Sequence, residues 1–200
     1  MSVDIKKLKV ASIAAEAVRQ DLNEVFFERD REISMLLRAV VAKEHVVFLG
    51  PPGTAKTNLV RSFFWMIGLS AFFDQLGRDS KKDDSFGPIS VKEFTENARR
   101  VREVKGFLPD VQGAFLDEIF KCNPTQLNNF LTILQDRVFK NGSDGEIQCP
   151  LETCVGASNE FPEDESLSAL YDRFVLRKWV DPIKEPDNFE KLIMGDRKEK

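Results

Sequence analysis

The sequence predicts an α/β fold, with a central parallel sheet and flanking helices. Three observations carry this. Short apolar runs at 45–50 (HVVFLG), 113–116 (GAFL) and 153–158 (TCVGAS) are bounded by polar or turn residues, as strands buried on both faces are. Segments of helical periodicity lie between them. The first run also enters one of those helical segments directly through a glycine-rich loop.

The elements follow in order. Ile13, Ala17, Val18, Leu22, Val25 and Phe26 mark a helix over 13–27, and Ile33, Leu36, Leu37, Val40 and Val41 mark a second. His45 to Gly50 is the first strand. Thr57 to Ile67 is the helix after it, with Gly68 as its stop. Asp74 to Asp84 is polar and reads as a solvated loop. Ser90 and Glu93 have capping-box spacing, so a short helix starts at Ser90, and the mixed charges around Arg99 and Arg100 read as a solvated helix face.

Gly106 to Gly113 returns to loop around Pro109. Gly113 to Leu116 is a short strand leading into Asp117 and Glu118. Asn123 and Pro124 suit N-cap and first-turn positions, and Leu127, Phe130, Leu131 and Leu134 give the next helix one apolar face. KNGSDG between Arg137–Phe139 and Glu146–Gln148 reads as a hairpin loop. Thr153 to Ser158 is a buried strand ending at Asn159. Leu167 to Tyr171 is a short helix, Phe174 to Val180 a strand, and Phe189 to Met194 a last helix before a charged tail.

Gly50 to Thr57, GPPGTAKT, fills every position of G-x-x-x-x-G-K-[ST], between a strand and a helix. Gly50 and Gly53 let the backbone turn its N–H groups inward, and the helix start adds donors and a dipole that favours phosphate. Lys56 can reach β- and γ-phosphates, and Thr57 can ligate Mg²⁺. Pro51, Pro52, Thr54, Ala55 and Asn58 complete the predicted nucleotide-binding set, so ATP and Mg²⁺ are the expected ligands.

Asp117 and Glu118 stand at a strand's carboxyl end, where parallel sheets bind ligands. Asp117 is expected to hold the Mg²⁺ shell and Glu118 to activate water. Asn159 is either a contact to that water or the γ-phosphate, or a turn cap. Arg173 and Arg177 are either solvated charges, or one of them meets a γ-phosphate across a subunit boundary.

These motifs resemble those of the MoxR-type AAA+ ATPases, in particular the RavA-like branch, over nearly all 200 residues. GPPGTAKT looks like the family's Walker A motif. GAFLDEIFK (113–121) looks like its Walker B motif, with Glu118 as the catalytic glutamate. GASNEFPED (156–164) resembles the sensor-one segment and gives Asn159 that role. ALYDRFVLRKWV (169–180) resembles the segment carrying the arginine finger, with Arg173 the best match. SFGPIS and GFLPDVQG look like the clade's insertion in the second core helix, and His45 also fits the branch.

The resemblance implies an AAA+ P-loop core over 1–185, with an insertion at about 85–112, and a connection over 186–200 to a helical lid that lies outside this sequence. It further implies a hexameric ring that remodels or matures protein complexes, often with a von Willebrand factor A (vWA) domain partner. The lid normally carries a second sensor arginine, a role that Arg197 in the tail is not expected to fill. Weakened closure and turnover are therefore expected of these 200 residues, and the competing expectation is a nucleotide-binding switch or structural fragment with little turnover.

Composition narrows the remaining classes. Lys and Arg total 29 and Asp and Glu 33, a formal charge of −4, which disfavours a nucleic-acid binder. No Asn-Lys-x-Asp guanine motif appears. No apolar run reaches membrane-spanning length, so a cytoplasmic protein is expected. Cys122, Cys149 and Cys154, with His45 the only histidine, read as buried thiols rather than a metal site. Trp65 and Trp179 read as core or interface anchors.

Overall fold

A computed structural model describes residues 5–162 and 164–194. The charged tail with Arg197, and Glu163 within the sensor-one segment, lie outside the described residues. Two helices come first, α1 (Ile5–Val25) and α2 (Asp30–Ala42). The sheet strands are β1 (Val46–Leu49), β2 (Ala71–Gln75), β3 (Gly113–Asp117), β6 (Thr153–Ser158) and β7 (Leu176–Trp179). They are all parallel, in the order β2-β3-β6-β1-β7. Helix α3 (Lys56–Met66) connects β1 to β2. Short helices α4 (Lys82–Phe86) and α5 (Val91–Asn97) lie between β2 and β3. Helix α6 (Pro124–Asp136) and the hairpin β4 (Val138–Lys140)–β5 (Glu146–Gln148) lie between β3 and β6, α7 (Glu165–Tyr171) precedes β7, and α8 (Pro186–Met194) follows it.

Successive side chains on a strand face opposite ways, so each buried strand feeds two layers. Val46, Phe48, Phe115, Val155 and Ala157 pack with Leu22, Ile33, Leu36, Leu59 and Phe63 of α1–α3. Val47, Leu49, Ala114, Leu116 and Cys154 pack with Phe130 and Leu134 of α6 and with Leu170 and Phe174. Because β1 sits between β6 and β7 while the chain after β1 runs to the far edge at β2, the carboxyl ends of β1, β3 and β6 open onto one crevice. That is where open α/β sheets hold ligands.

Three expectations are corrected. The segment from Asp74 is not a free loop: Asp74 and Gln75 end edge strand β2, and the Asp74 carboxylate accepts a hydrogen bond from Ser85 Oγ at 2.8 Å. Downstream, α4 buries Ser85 and Phe86, with Phe86 between Phe130 and Phe139 at ring separations of 5.1 and 5.4 Å. Helix α5 does begin after Ser90, but the Ser90 side chain makes no capping bond. Arg99 and Arg100 lie beyond the end of α5. There Arg99 pairs with Glu93 and Asp144, and the Arg100 carbonyl accepts the Ser143 N–H at 3.0 Å, which docks the segment after α5 on the β4–β5 hairpin. Of the two roles expected for Trp65 and Trp179, core or interface anchor, their exposures of 82% and 44% exclude the core one.

The three cysteines are free and buried, and desolvation pushes the Cys122 and Cys149 thiols up to about 11 and that of Cys154 to about 12. Among the described residues no helix is long and apolar enough to cross a membrane.

Candidate nucleotide site

The loop between β1 and α3 is built around conformations that side chains resist. Gly50 has φ +145°, and its missing Cβ would lie 2.3 Å from the Val180 carbonyl oxygen. Only glycine lets the loop leave the sheet against β7 at this point. Gly53 (φ +79°) and Ala55 (φ +63°) turn the backbone twice more before α3 begins at Lys56.

Lys56 is 8% exposed. Its Nζ donates to the carbonyls of Gly50 at 2.8 Å and Pro51 at 2.9 Å, and to Thr54 Oγ1 at 3.3 Å. Burial lowers its pKa, while the charges of Asp117 and Glu118 oppose that shift. An anion in the loop would supply the countercharge this ammonium otherwise draws from carbonyl dipoles.

Burial raises the pKa of the Asp117 carboxylate, a shift that the Glu118 N–H, the Lys56 charge and the neighbouring Thr57 hydroxyl oppose. Asp117 Oδ1 accepts the Glu118 N–H at 3.0 Å. Glu118 lies just past the strand in the left-handed region, φ +52°, an uncommon conformation for a non-glycine residue. That turn brings Glu118 Oε1 to within 2.8 Å of the donating Asn159 Nδ2, across from the end of β6, while Oε2 lies 3.2 Å from Lys121 Nζ.

Residues 52–58, Gln75, Asp117, Glu118 and Asn159 line one open cavity of about 350 Å³. The structure thus gathers most of the predicted site, with Gly50 and Pro51 in the loop directly behind it. Arg173 stands outside this cavity, with its Nε buried and lacking a hydrogen-bond partner among the described residues. Arg177 is held by Asp172 and lies over the Tyr171 ring, 3.9 Å from its centroid.

The structure adds residues that the sequence reading missed. Gln75, at the end of β2, joins the cavity wall. A second cleft of about 430 Å³ shares residues 52–55 and Asn58 with the first, and is walled by Phe26, Phe27, Ile183, Phe189 and Leu192. A polar loop opening beside an aromatic and aliphatic cleft suits a molecule with a charged end and a flat, weakly polar end. Arg29, 5% exposed, donates to the Thr54 carbonyl at 3.3 Å and braces the loop from behind. Pattern could not reveal these walls, because they come from the α1–α2 turn, a strand end and α8.

The family model for the MoxR domain of the MoxR–vWA–β-propeller ternary systems matches residues 13–200. Two uncharacterized proteins of Methanocaldococcus jannaschii are each 44% identical, over 185 and 178 residues, or 92% and 89% of this chain. Each alignment covers 48% of the relative, so the chain spans about half the length of the curated relatives it matches. A crystal structure from Cytophaga hutchinsonii, provisionally assigned as an ATPase, superposes with a TM-score of 0.68 at 18% identity, covering 96% of this chain and 60% of that one. That likeness is one of fold.

Proposed function

The chain belongs to the MoxR domain family of AAA+ modules, and from that premise we propose that it binds ATP with Mg²⁺ and hydrolyses the γ-phosphoryl bond. The observation that carries the reading is the Glu118–Asn159 contact at the mouth of the loop that holds Lys56. A carboxylate for a water proton, an amide that orients that carboxylate, and a cationic phosphate loop are what in-line attack on a phosphoryl group requires.

The oxygens of Thr57 and Asp117, which line the same cavity, are the hard donors Mg²⁺ takes, and they fit it. Bound there, the ion would neutralise charge on the phosphate oxygens. Backbone N–H groups at the start of α3 and Lys56 would receive the phosphates, with Lys56 Nζ leaving the Gly50 and Pro51 carbonyls to do so. Glu118 would accept the water proton while Asn159 holds its other lone pairs in line. The second cleft would take the base, between Phe27 and the wall formed by Ile183 and Leu192.

Arg173 is proposed to complete a neighbour's site in a ring, usually hexameric. The ring would remodel or mature protein complexes in the cytoplasm with a partner bearing a vWA domain, and the matched family's description supports such a partner. Kinship with the RavA-like branch is proposed on His45. The test is ATP turnover measured against protein concentration in the full-length protein. Specific activity that climbs steeply and falls with Arg173→Ala is expected. Concentration-independent turnover, unchanged in Arg173→Ala, would remove the shared site, and absence of ATP binding would remove the whole reading.

A further inference from the structure

We propose that Glu28 and Arg29, adjacent in the α1–α2 turn, are positioning residues that couple the phosphate loop to helix α8; the role in turnover rests on the nucleotide reading above. The two side chains reach in different directions from one rigid point. Glu28 sits at φ +59°, and its carboxylate accepts the backbone N–H of Lys184 at 2.9 Å and of Glu185 at 3.0 Å, and Asn188 Nδ2 at 3.1 Å. The two N–H groups precede Pro186, the first residue of α8, so the carboxylate holds the head of the helix from a segment more than 150 residues away. Those bonds keep the Glu28 carboxyl below its usual range.

Arg29 spends a buried guanidinium on main-chain carbonyls. It donates to Asp181 at 2.8 Å, to Glu28 at 2.8 Å and to Thr54 at 3.3 Å. A planar fork with several donors can bridge three segments at once, whereas a lysine at this position could not. The path therefore runs from Thr54 in the phosphate loop through Arg29 to Asp181 past β7, and through Glu28 to the head of α8. Both ends of the path wall the second cleft: the loop through residues 52–55, and α8 through Phe189 and Leu192. A phosphate that reorients the Thr54 peptide would therefore pull on a strut whose other end fixes the opposite wall.

Hydrogen–deuterium exchange of the full-length protein, with and without Mg²⁺ and a non-hydrolysable ATP analogue, tests this. In the nucleotide-free protein, Glu28→Ala is expected to speed exchange of the α8 amides on the order of tenfold, the size expected for losing a charge-assisted cap. Glu28→Gln, which keeps one carbonyl acceptor, should fall between Glu28→Ala and wild type. Arg29→Ala should speed exchange in both α8 and residues 53–57.

With the analogue, wild type should show slower exchange in both regions, while Glu28→Ala should keep the full protection of the loop but lose most of that of α8, retaining only what the base gives by touching Leu192. Protection of α8 as large in Glu28→Ala as in wild type would mean that contact with the ligand accounts for all of it, and would overturn the coupling. So would α8 amides that exchange alike in nucleotide-free wild type and Glu28→Ala. If the analogue fails to protect the wild-type loop, the nucleotide reading fails instead, and the nucleotide-free comparison still decides the strut. Glu28 is exposed, so its variants test the idea even if Arg29→Ala does not fold.

Discussion

Asn159 Nδ2 donates to Glu118 Oε1 at 2.8 Å, joining the ends of β6 and β3, which are neighbours in the sheet. The bond orients a carboxylate whose backbone is already turned into the left-handed region. It occupies one lone-pair direction and leaves others for a water molecule. Glu118→Gln preserves the shape of the side chain but removes its basicity. Turnover should fall by about 10²–10⁴-fold with ATP affinity kept within a few fold, as equilibrium binding and steady-state assays would read. Undiminished turnover would exclude Glu118 as the base.

Asn159→Ala leaves the base in place and removes its orienting donor. Turnover should fall less than in Glu118→Gln, by about 10–10²-fold, and the double variant should be no slower than Glu118→Gln alone. Additive losses would show that Asn159 acts separately from Glu118, on phosphate for instance.

Lys56 makes three hydrogen bonds inside its own loop, and its ammonium would exchange the Gly50 and Pro51 carbonyls for phosphate oxygens. Lys56→Ala should weaken ATP binding by about 10²-fold or more, since a charge-assisted contact in a nearly closed loop is lost. Titration calorimetry measures this directly, and affinity within threefold of wild type would place the phosphates elsewhere.

Gly50→Ala should destabilise the protein by about 2–3 kcal/mol or more, combining an unfavourable φ with a collision against the Val180 carbonyl. The midpoint of urea unfolding reads this. Gly53→Ala should cost less, because nothing stands within 4 Å of the added methyl.

These residues show what sequence can and cannot carry. The phosphate loop, Asp117 and Glu118 are legible because their chemistry is local: each motif spans a few residues at the end of an apolar run. Strand β2 is not, because an edge strand half open to solvent admits Asp74 and Gln75 and so reads as loop. Arg29 looks like one more charge within ERDRE, and only the fold shows it buried beneath Thr54. The wall of the second cleft joins Phe27 to Ile183 and Leu192, and no local periodicity reports which distant segments will share a surface.

His45 gives a prediction about pH. The ring is 2% exposed and bridges three elements: Nδ1 accepts the Cys154 N–H of β6 at 2.9 Å, and Nε2 lies 2.9 Å from the Leu134 carbonyl of α6. Those partners require the neutral tautomer with its proton on Nε2. Burial, aided by the charge of Arg137, lowers the pKa from 6.5 to about 4. Between these values the unfolded chain takes up a proton that the folded ring refuses. The stability this group provides is therefore complete above pH 6.5 and is lost as pH falls toward 4. At about 1.4 kcal/mol per pH unit, the loss amounts to roughly 3 kcal/mol. His45→Gln cannot titrate, so the stability difference between wild type and variant in urea should shrink steadily from pH 6.5 to 4 and be flat above 7. A difference that does not change with pH would mean that the ring is protonated in the folded protein, or exposed to water there.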